Sequence, residues 1–223
     1  HQCFHPDFGQ PIGEYPFAKS VVLREQLLLV GFSDGAIVAC GDDGKEMWTW
    51  RIAQSHPSME SFGRIDLHPM EPYLAMSWTQ NSSTTGVAGK VSILDLDQMS
   101  EVAGWDYSTE HWAMEFSQDG VWLASSAQDG SVRLWLTENP DAALWEDRGV
   151  KYNHSNYTGV VTWHNEMHVL MSVGWDGQAI VWDADNSQQM LSFQFIDEGF
   201  GAVFTGGSFL VVASGDASNS ASG

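Results

Sequence analysis

FSQDGVWLASSAQDGSVRLWL, residues 116–136, holds two apolar runs joined at Asp129-Gly130. The first, from Trp122, passes through small residues and closes on Asp-Gly. The second is apolar at Val132, Leu134 and Trp135. Asp-Gly between two such runs signals a hairpin, because glycine accepts the positive φ that tight turns require. Val132 and Leu134 point to one side of a strand and Trp135 to the other. A solvated sheet carries apolar groups on one face only, so this strand is predicted to be buried on both.

The same frame recurs along the chain. LLLVGFSDG ends at Gly35, YLAMSWT starts at Tyr73, VLMSVGWDG ends at Gly177 and FLVVASGDA ends at Ala217. Leu28, Leu74, Leu123, Leu170 and Leu210 share the second position. The strand after each hairpin aligns as well: Ile37, Val91, Val132 and Ala179 form one column, and Ala39, Ile93, Leu134 and Val181 another. Cys40, Leu94, Trp135 and Trp182 follow, then Gly41, Asp95, Leu136 and Asp183.

Asp129 and Asp176 are 47 residues apart, Asp176 and Asp216 40, and Asp34 and Asp129 95, or two repeats. Four-stranded propeller blades recur every ~40–45 residues. The surplus in the second repeat falls in the polar stretch Gln80–Ala88. The fold expected is therefore all-β, a β-propeller of four-stranded antiparallel blades forming one domain over residues 1–223. Four full blades span about residues 18–55, 62–106, 111–148 and 157–196, with a partial fifth at 200–223. A ring of about seven blades needs about 280 residues. The chain is accordingly expected to be a fragment of a larger ring, with the remaining blades of its own chain missing.

Residues 116–136 resemble the core of a WD-repeat (WD40) blade, with Trp135 in the family's Trp position. WDGQAIVWD, Trp175 to Asp183, carries the Trp182-Asp183 pair itself. LHPMEPYLAM followed by GKVSILDLD, from Leu67 to Asp97, is a weaker copy in which Leu94 replaces Trp. The resemblance covers roughly residues 26–217 and implies a scaffold that assembles complexes. The family's Gly-His pair is missing, and Leu136 stands where the family has Asp after Trp135. Whether the hydrogen-bonded network built by those residues forms is thus left open by the sequence. VGFSDGAIVACGDDGKEMWTW, Val30 to Trp50, also resembles repeats of quinoprotein-like (PQQ-type) propellers, notably Asp43-Gly44-Lys45-Glu46 followed by Trp48.

Nine basic against 29 acidic residues give a net charge of -20. Such a surface repels phosphate backbones and anionic lipid heads, which argues against nucleic acid and membrane partners; it suits a basic partner, or simply a protein kept soluble in salty surroundings. Two cysteines, Cys3 and Cys40, supply neither a disulfide framework nor a four-thiolate zinc site. No apolar run approaches the ~18 residues of a membrane span, and a cytoplasmic location is expected.

Several stretches look like chemistry and read better as turns. Gly31-Phe32-Ser33-Asp34-Gly35 matches G-x-S-x-G, but that motif needs a strand-to-helix turn and here a second strand follows. Gly86-Val87-Ala88-Gly89-Lys90 has two residues between its glycines where a phosphate loop has four. His164-Asn165-Glu166-Met167-His168 places two imidazoles four apart, but Glu does not directly follow the first, and alignment puts the stretch at a strand end. His1 and His5 read as a frayed terminus. Asn81-Ser82-Ser83 and Asn156-Tyr157-Thr158 satisfy the glycosylation triplet, which is common by chance. No nucleophile, base and oxyanion donors converge, so no catalytic, cofactor-binding or metal residue is nominated.

Aromatic residues outside the core columns are the candidate partner contacts: Trp105, Tyr107, Trp112, Tyr152 and Tyr157. Aromatics near loops give large contact area at low entropic cost. The function expected is a non-catalytic protein-interaction scaffold. The alternatives are a quinoprotein-like or other propeller enzyme, or a recognition domain of a larger multidomain protein.

Overall fold

The structure is a computed structural model that describes residues 18–24, 27–41, 43–56, 59–80, 89–139, 141–195, 198–205 and 209–215. His1, His5, the Asn81 triplet, most of the 80–88 insertion and Asp216 lie outside the described residues.

Four antiparallel sheets of four strands follow one another in the chain, each with its strands in sequence order. The first blade holds β1 (Ala18–Arg24), β2 (Leu27–Phe32), β3 (Ala36–Cys40) and β4 (Glu46–Arg51). The second holds β5 (Met59–Leu67), β6 (Tyr73–Gln80), β7 (Gly89–Asp95) and β8 (Ser100–Tyr107). The third is β9 (His111–Phe116), β10 (Trp122–Ala127), β11 (Ser131–Leu136) and β12 (Glu146–Asn153). The fourth is β13 (Thr158–Trp163), β14 (Val169–Gly174), β15 (Gln178–Asp183) and β16 (Gln188–Gln194). A two-stranded sheet of β17 (Glu198–Thr205) and β18 (Phe209–Gly215) is the partial fifth. Helical structure among the described residues amounts to the short turns Ile52–Ser55 and Ala142–Leu144. The strands form two compact units, blades one and two in the first and the rest in the second, which also takes residues 68–71.

The aligned leucines become cross-strand rows. Leu28 faces Leu23 and Cys40, Leu74 faces Leu67 and Leu94, Leu123 faces Phe116 and Trp135, and Leu170 faces Trp163 and Trp182. Irregularities repeat too. The third and fourth strands slip register beside Cys40, Leu94, Trp135 and Trp182. A bulge adds local twist and re-aims one side chain, and its recurrence at one column shows that each sheet is the same unit.

The third strand of each full blade lies in its buried interior. All five residues of β3 are inaccessible, and β7, β11 and β15 are buried on both faces. The fourth strand is the solvated one, to the point that every residue of β16 is exposed. The hairpins between second and third strands turn on Gly35, Gly130 and Gly177, with φ of 78°, 86° and 73°. At Gly130 a side chain is barred twice over, because a Cβ would meet the carbonyl oxygens of His154 and Asn156 at 2.5 and 2.7 Å. Gly35 closes its turn by donating to the Phe32 carbonyl, and Asp34 accepts from the Ala36 N–H. The G-x-S-x-G stretch is thus a hairpin. Of the phosphate-loop look-alike, Gly89 and Lys90 start β7 and the rest lies outside the described residues.

Candidate functional site

The fourth blade carries a closed polar chain inside its core. His154 lies before β13 and is 5% exposed. Its Nδ1 meets Asp176 Oδ1 at 2.9 Å and its Nε2 meets Ser172 Oγ at 2.8 Å. Trp182 Nε1 donates to the same Ser172 hydroxyl at 2.8 Å. Burial pushes the Asp176 carboxyl up, but bonds from His154 and from the Ser155 and Gln178 N–H groups outweigh it and hold the carboxyl below the ordinary value. The network left open by the sequence forms in this blade, with His154 supplying the imidazole although Asn153, not glycine, precedes it.

That chain fixes one end of blades three and four. His154 N–H donates to the Gly130 carbonyl at 2.9 Å and the Thr158 hydroxyl donates to it at 2.7 Å. Trp175 N–H donates to the Tyr157 carbonyl at 2.8 Å. Three half-buried rings gather there. Trp112 and Tyr157 have centroids 5.2 Å apart, Tyr157 and Trp175 5.2 Å, and Trp112 and Trp175 5.7 Å, all tilted or edge-to-face. Edge-to-face contacts at these distances are the favoured aromatic geometry.

Two of the five candidate aromatics, Trp112 and Tyr157, therefore meet in one cluster. Trp175 completes it, although the sequence had placed it only within a hairpin motif. Trp105 and Tyr107 lie half-buried on β8 in the other unit, opposite Val91 and Gly89. Tyr152 is a core residue instead. It is 2% exposed, its ring stacks on Trp182 at 3.9 Å, and its hydroxyl donates to the Asp183 carbonyl. Burial and the nearby Asp183 push its phenol up to about 12. Its neighbours in sequence suggested a loop, but β12 continues to Asn153 and carries Tyr152 inside.

The other end of blades three and four carries the His164–His168 turn. His164 is buried, its Nδ1 accepting from the Glu166 N–H. His168 points elsewhere, donating from Nε2 to Asp119 at 2.5 Å and from Nδ1 to Asp185 at 2.7 Å. A carboxylate on each nitrogen favours the charged form of the ring. Burial acts to lower its pKa, but the two carboxylates win and raise it above the ordinary value. The two imidazoles do not converge, and no group of three or more metal-ligating residues occurs among the described residues.

In the first unit a related network is assembled from different positions. Trp78 Nε1 donates to Ser92 Oγ at 3.3 Å, Ser92 donates to Glu101 at 3.1 Å, and Glu101 meets His56 Nε2 at 2.6 Å. The tryptophan sits on the second strand and the serine on the third, the reverse of the fourth blade. Ser92 is fully buried, so this is a packed network and no exposed nucleophile.

Repeated four-stranded antiparallel blades with an internal histidine–carboxylate–hydroxyl–indole chain define a β-propeller repeat protein. Residues 107–135 match the family model described as WD domain, G-beta repeat. The chain is similar to the protein transport protein SEC31 of Saccharomyces cerevisiae, with 20% identity over 179 residues, covering 70% of this chain and 14% of that protein. It is also similar to protein HIR1 of Candida albicans, with 29% identity over 83 residues, 32% of this chain and 9% of that protein. The chain thus spans a small part of the curated relatives it matches. Its repeats are similar to those of WD-repeat proteins, with the family model matching largely within the third blade. No helix among the described residues is long and apolar enough to cross a membrane.

Proposed function

We propose that this chain is a protein-interaction scaffold without catalytic activity of its own, acting on a protein or peptide partner in the cytoplasm. The observation that carries the reading is the use made of its polar side chains. Ser172, Ser92, His154 and Asp176 are the groups most reminiscent of catalysis, and each is spent inside a blade holding strands together. Catalysis needs a nucleophile and base that reach a substrate and donors aimed at the developing charge. What remains outward among the described residues is acidic and apolar, with half-buried aromatics gathered at one end of blades three and four, which is the equipment of an interface. Similarity to a protein transport protein and to HIR1 supports a role in assemblies.

The test is cross-linking in the native source followed by affinity recovery of the full chain under denaturing washes. A stoichiometric protein partner is expected. Recovery of the chain alone across growth conditions would overturn the reading.

A further inference from the structure

We propose that Trp112, Tyr157 and Trp175, with the exposed carboxylate at the adjoining hairpin tip Asp129, form a recognition surface for a cationic, Lys- or Arg-bearing segment of a partner protein. The proposal rests on the scaffold reading and names the surface and the chemistry of what it takes.

The rings and the carboxylate are brought to one place by backbone contacts already described. The Asp129-Gly130 turn is clamped onto the loop that bears Tyr157, since both His154 N–H and the Thr158 hydroxyl bond to the Gly130 carbonyl. Trp175 hangs from the Tyr157 carbonyl and directly precedes Asp176. The cluster is therefore held by a hydrogen-bonded frame instead of lying on a free loop. Preorganised aromatics cost little entropy on binding, which is how interface anchors act.

Charge then selects the partner. From Tyr152 to Gly223 the chain has no Lys or Arg and seven Asp and Glu. The third-blade cations Arg133, Arg148 and Lys151 lie on β11 and β12, where Arg133 pairs with Asp147 and Arg148 with Glu146. Asp129 is exposed, and its Oδ1 accepts from Ser131. Half-exposed rings beside an exposed carboxylate attract a cation through ring quadrupole and Coulomb terms together, and repel an acidic segment.

The test uses the full chain and fluorescently labelled Gly/Ser decapeptides carrying three Arg, three Glu or neither, read by anisotropy at ~0.15 M salt, where long-range surface attraction is screened. The Arg peptide is expected to bind and the others not. Tyr157→Ala and Trp175→Ala should each weaken it about tenfold, the range of one cation–π contact, and Tyr157→Phe should restore it. Asp129→Asn should weaken it about threefold, while Glu166→Gln, at the far end of β13, should change nothing. Failure of the Arg peptide to bind, equal loss with Glu166→Gln, or indifference to Tyr157→Ala with Tyr157→Phe as folding control would each overturn the proposal. Preference for the neutral peptide would overturn the cation assignment. A cross-linked partner retained by Tyr157→Ala would remove this surface and leave the scaffold standing. Arg-peptide binding with no recoverable partner would do the reverse.

Discussion

The third and fourth blades share a serine, an aspartate and a tryptophan at the same places but bring a histidine to the serine from different ones. Ser172, Asp176 and Trp182 in the fourth correspond to Ser125, Asp129 and Trp135 in the third, whereas His111 stands on the first strand where the fourth blade has Thr158, and His154 precedes that strand. In the fourth, histidine joins carboxylate to hydroxyl and the indole closes the chain. In the third, His111 reaches Ser125 through Nδ1 at 2.7 Å, and Asp129 turns to its own hairpin, accepting from the Ser131 N–H and hydroxyl at 3.0 and 2.6 Å. The residue after the hairpin glycine differs as well. Ser131 supplies a hydroxyl that holds Asp129, whereas Gln178 offers Asp176 its N–H and leaves the rest of the carboxylate to His154. The place of the histidine and the residue after the turn together redirect the network without altering the strands.

Removing the carboxylate should separate the blades most. Asp176→Ala breaks a pair in which His154 and Asp176 side chains are 0% and 4% exposed, and should cost about 3 kcal/mol. Asp129→Ala loses turn bonds at an exposed site and should cost about 1 kcal/mol. Urea unfolding midpoints measure both, and equal losses would erase the distinction.

Acid should expose the difference next. Burial, and then Arg133, push the His111 pKa down from 6.5 to about 4. The unfolded chain therefore binds the proton first as pH falls. Stability is full above 6.5 and declines between 6.5 and 4, by about 3 kcal/mol at most. His168 has the opposite sign: its raised pKa stabilises fully below 6.5, and the contribution is lost as pH rises through the folded value. Urea midpoints across pH 4–9 should flatten on the acid side in His111→Gln and on the alkaline side in His168→Gln. The first effect should be larger, because His168 is partly solvated.

The smallest change sharpens the comparison most. Ser131→Gln imports the fourth blade's residue and should release Asp129 towards His111. The imidazole resonance followed by NMR should then titrate at higher pH than in the parent, with stability moved by less than about 1 kcal/mol. An unmoved His111 titration would show that the backbone, not Ser131, sets the orientation.

Much of the fold was legible because strands are read two residues at a time. The columns at Leu28, Leu74, Leu123 and Leu170 needed only local order, and they became cross-strand rows. Asp-Gly marked the hairpins for the same reason. The networks were less legible. His154 and Ser172 are 18 residues apart, and a search for Gly-His fails on Asn153. Tyr152 was misplaced because alternation along β12 is interrupted by register shifts, so its inward aim could not be counted from neighbours. Trp112 and Tyr157 were found as loop aromatics, and Trp175 was missed because its place in a motif hid its exposure. His168 was weighed as a metal ligand, while its partners Asp119 and Asp185 come from distant turns.

The interaction surface is tested most directly by hydroxyl-radical footprinting of the full chain, alone and with its cross-linked partner released and rebound. Protection is predicted at Trp112, Tyr157 and Trp175, with Met167 at the far end of β13 left as reactive as in the free chain. Protection confined to the His164–His168 turn, with the three rings unchanged, would contradict it.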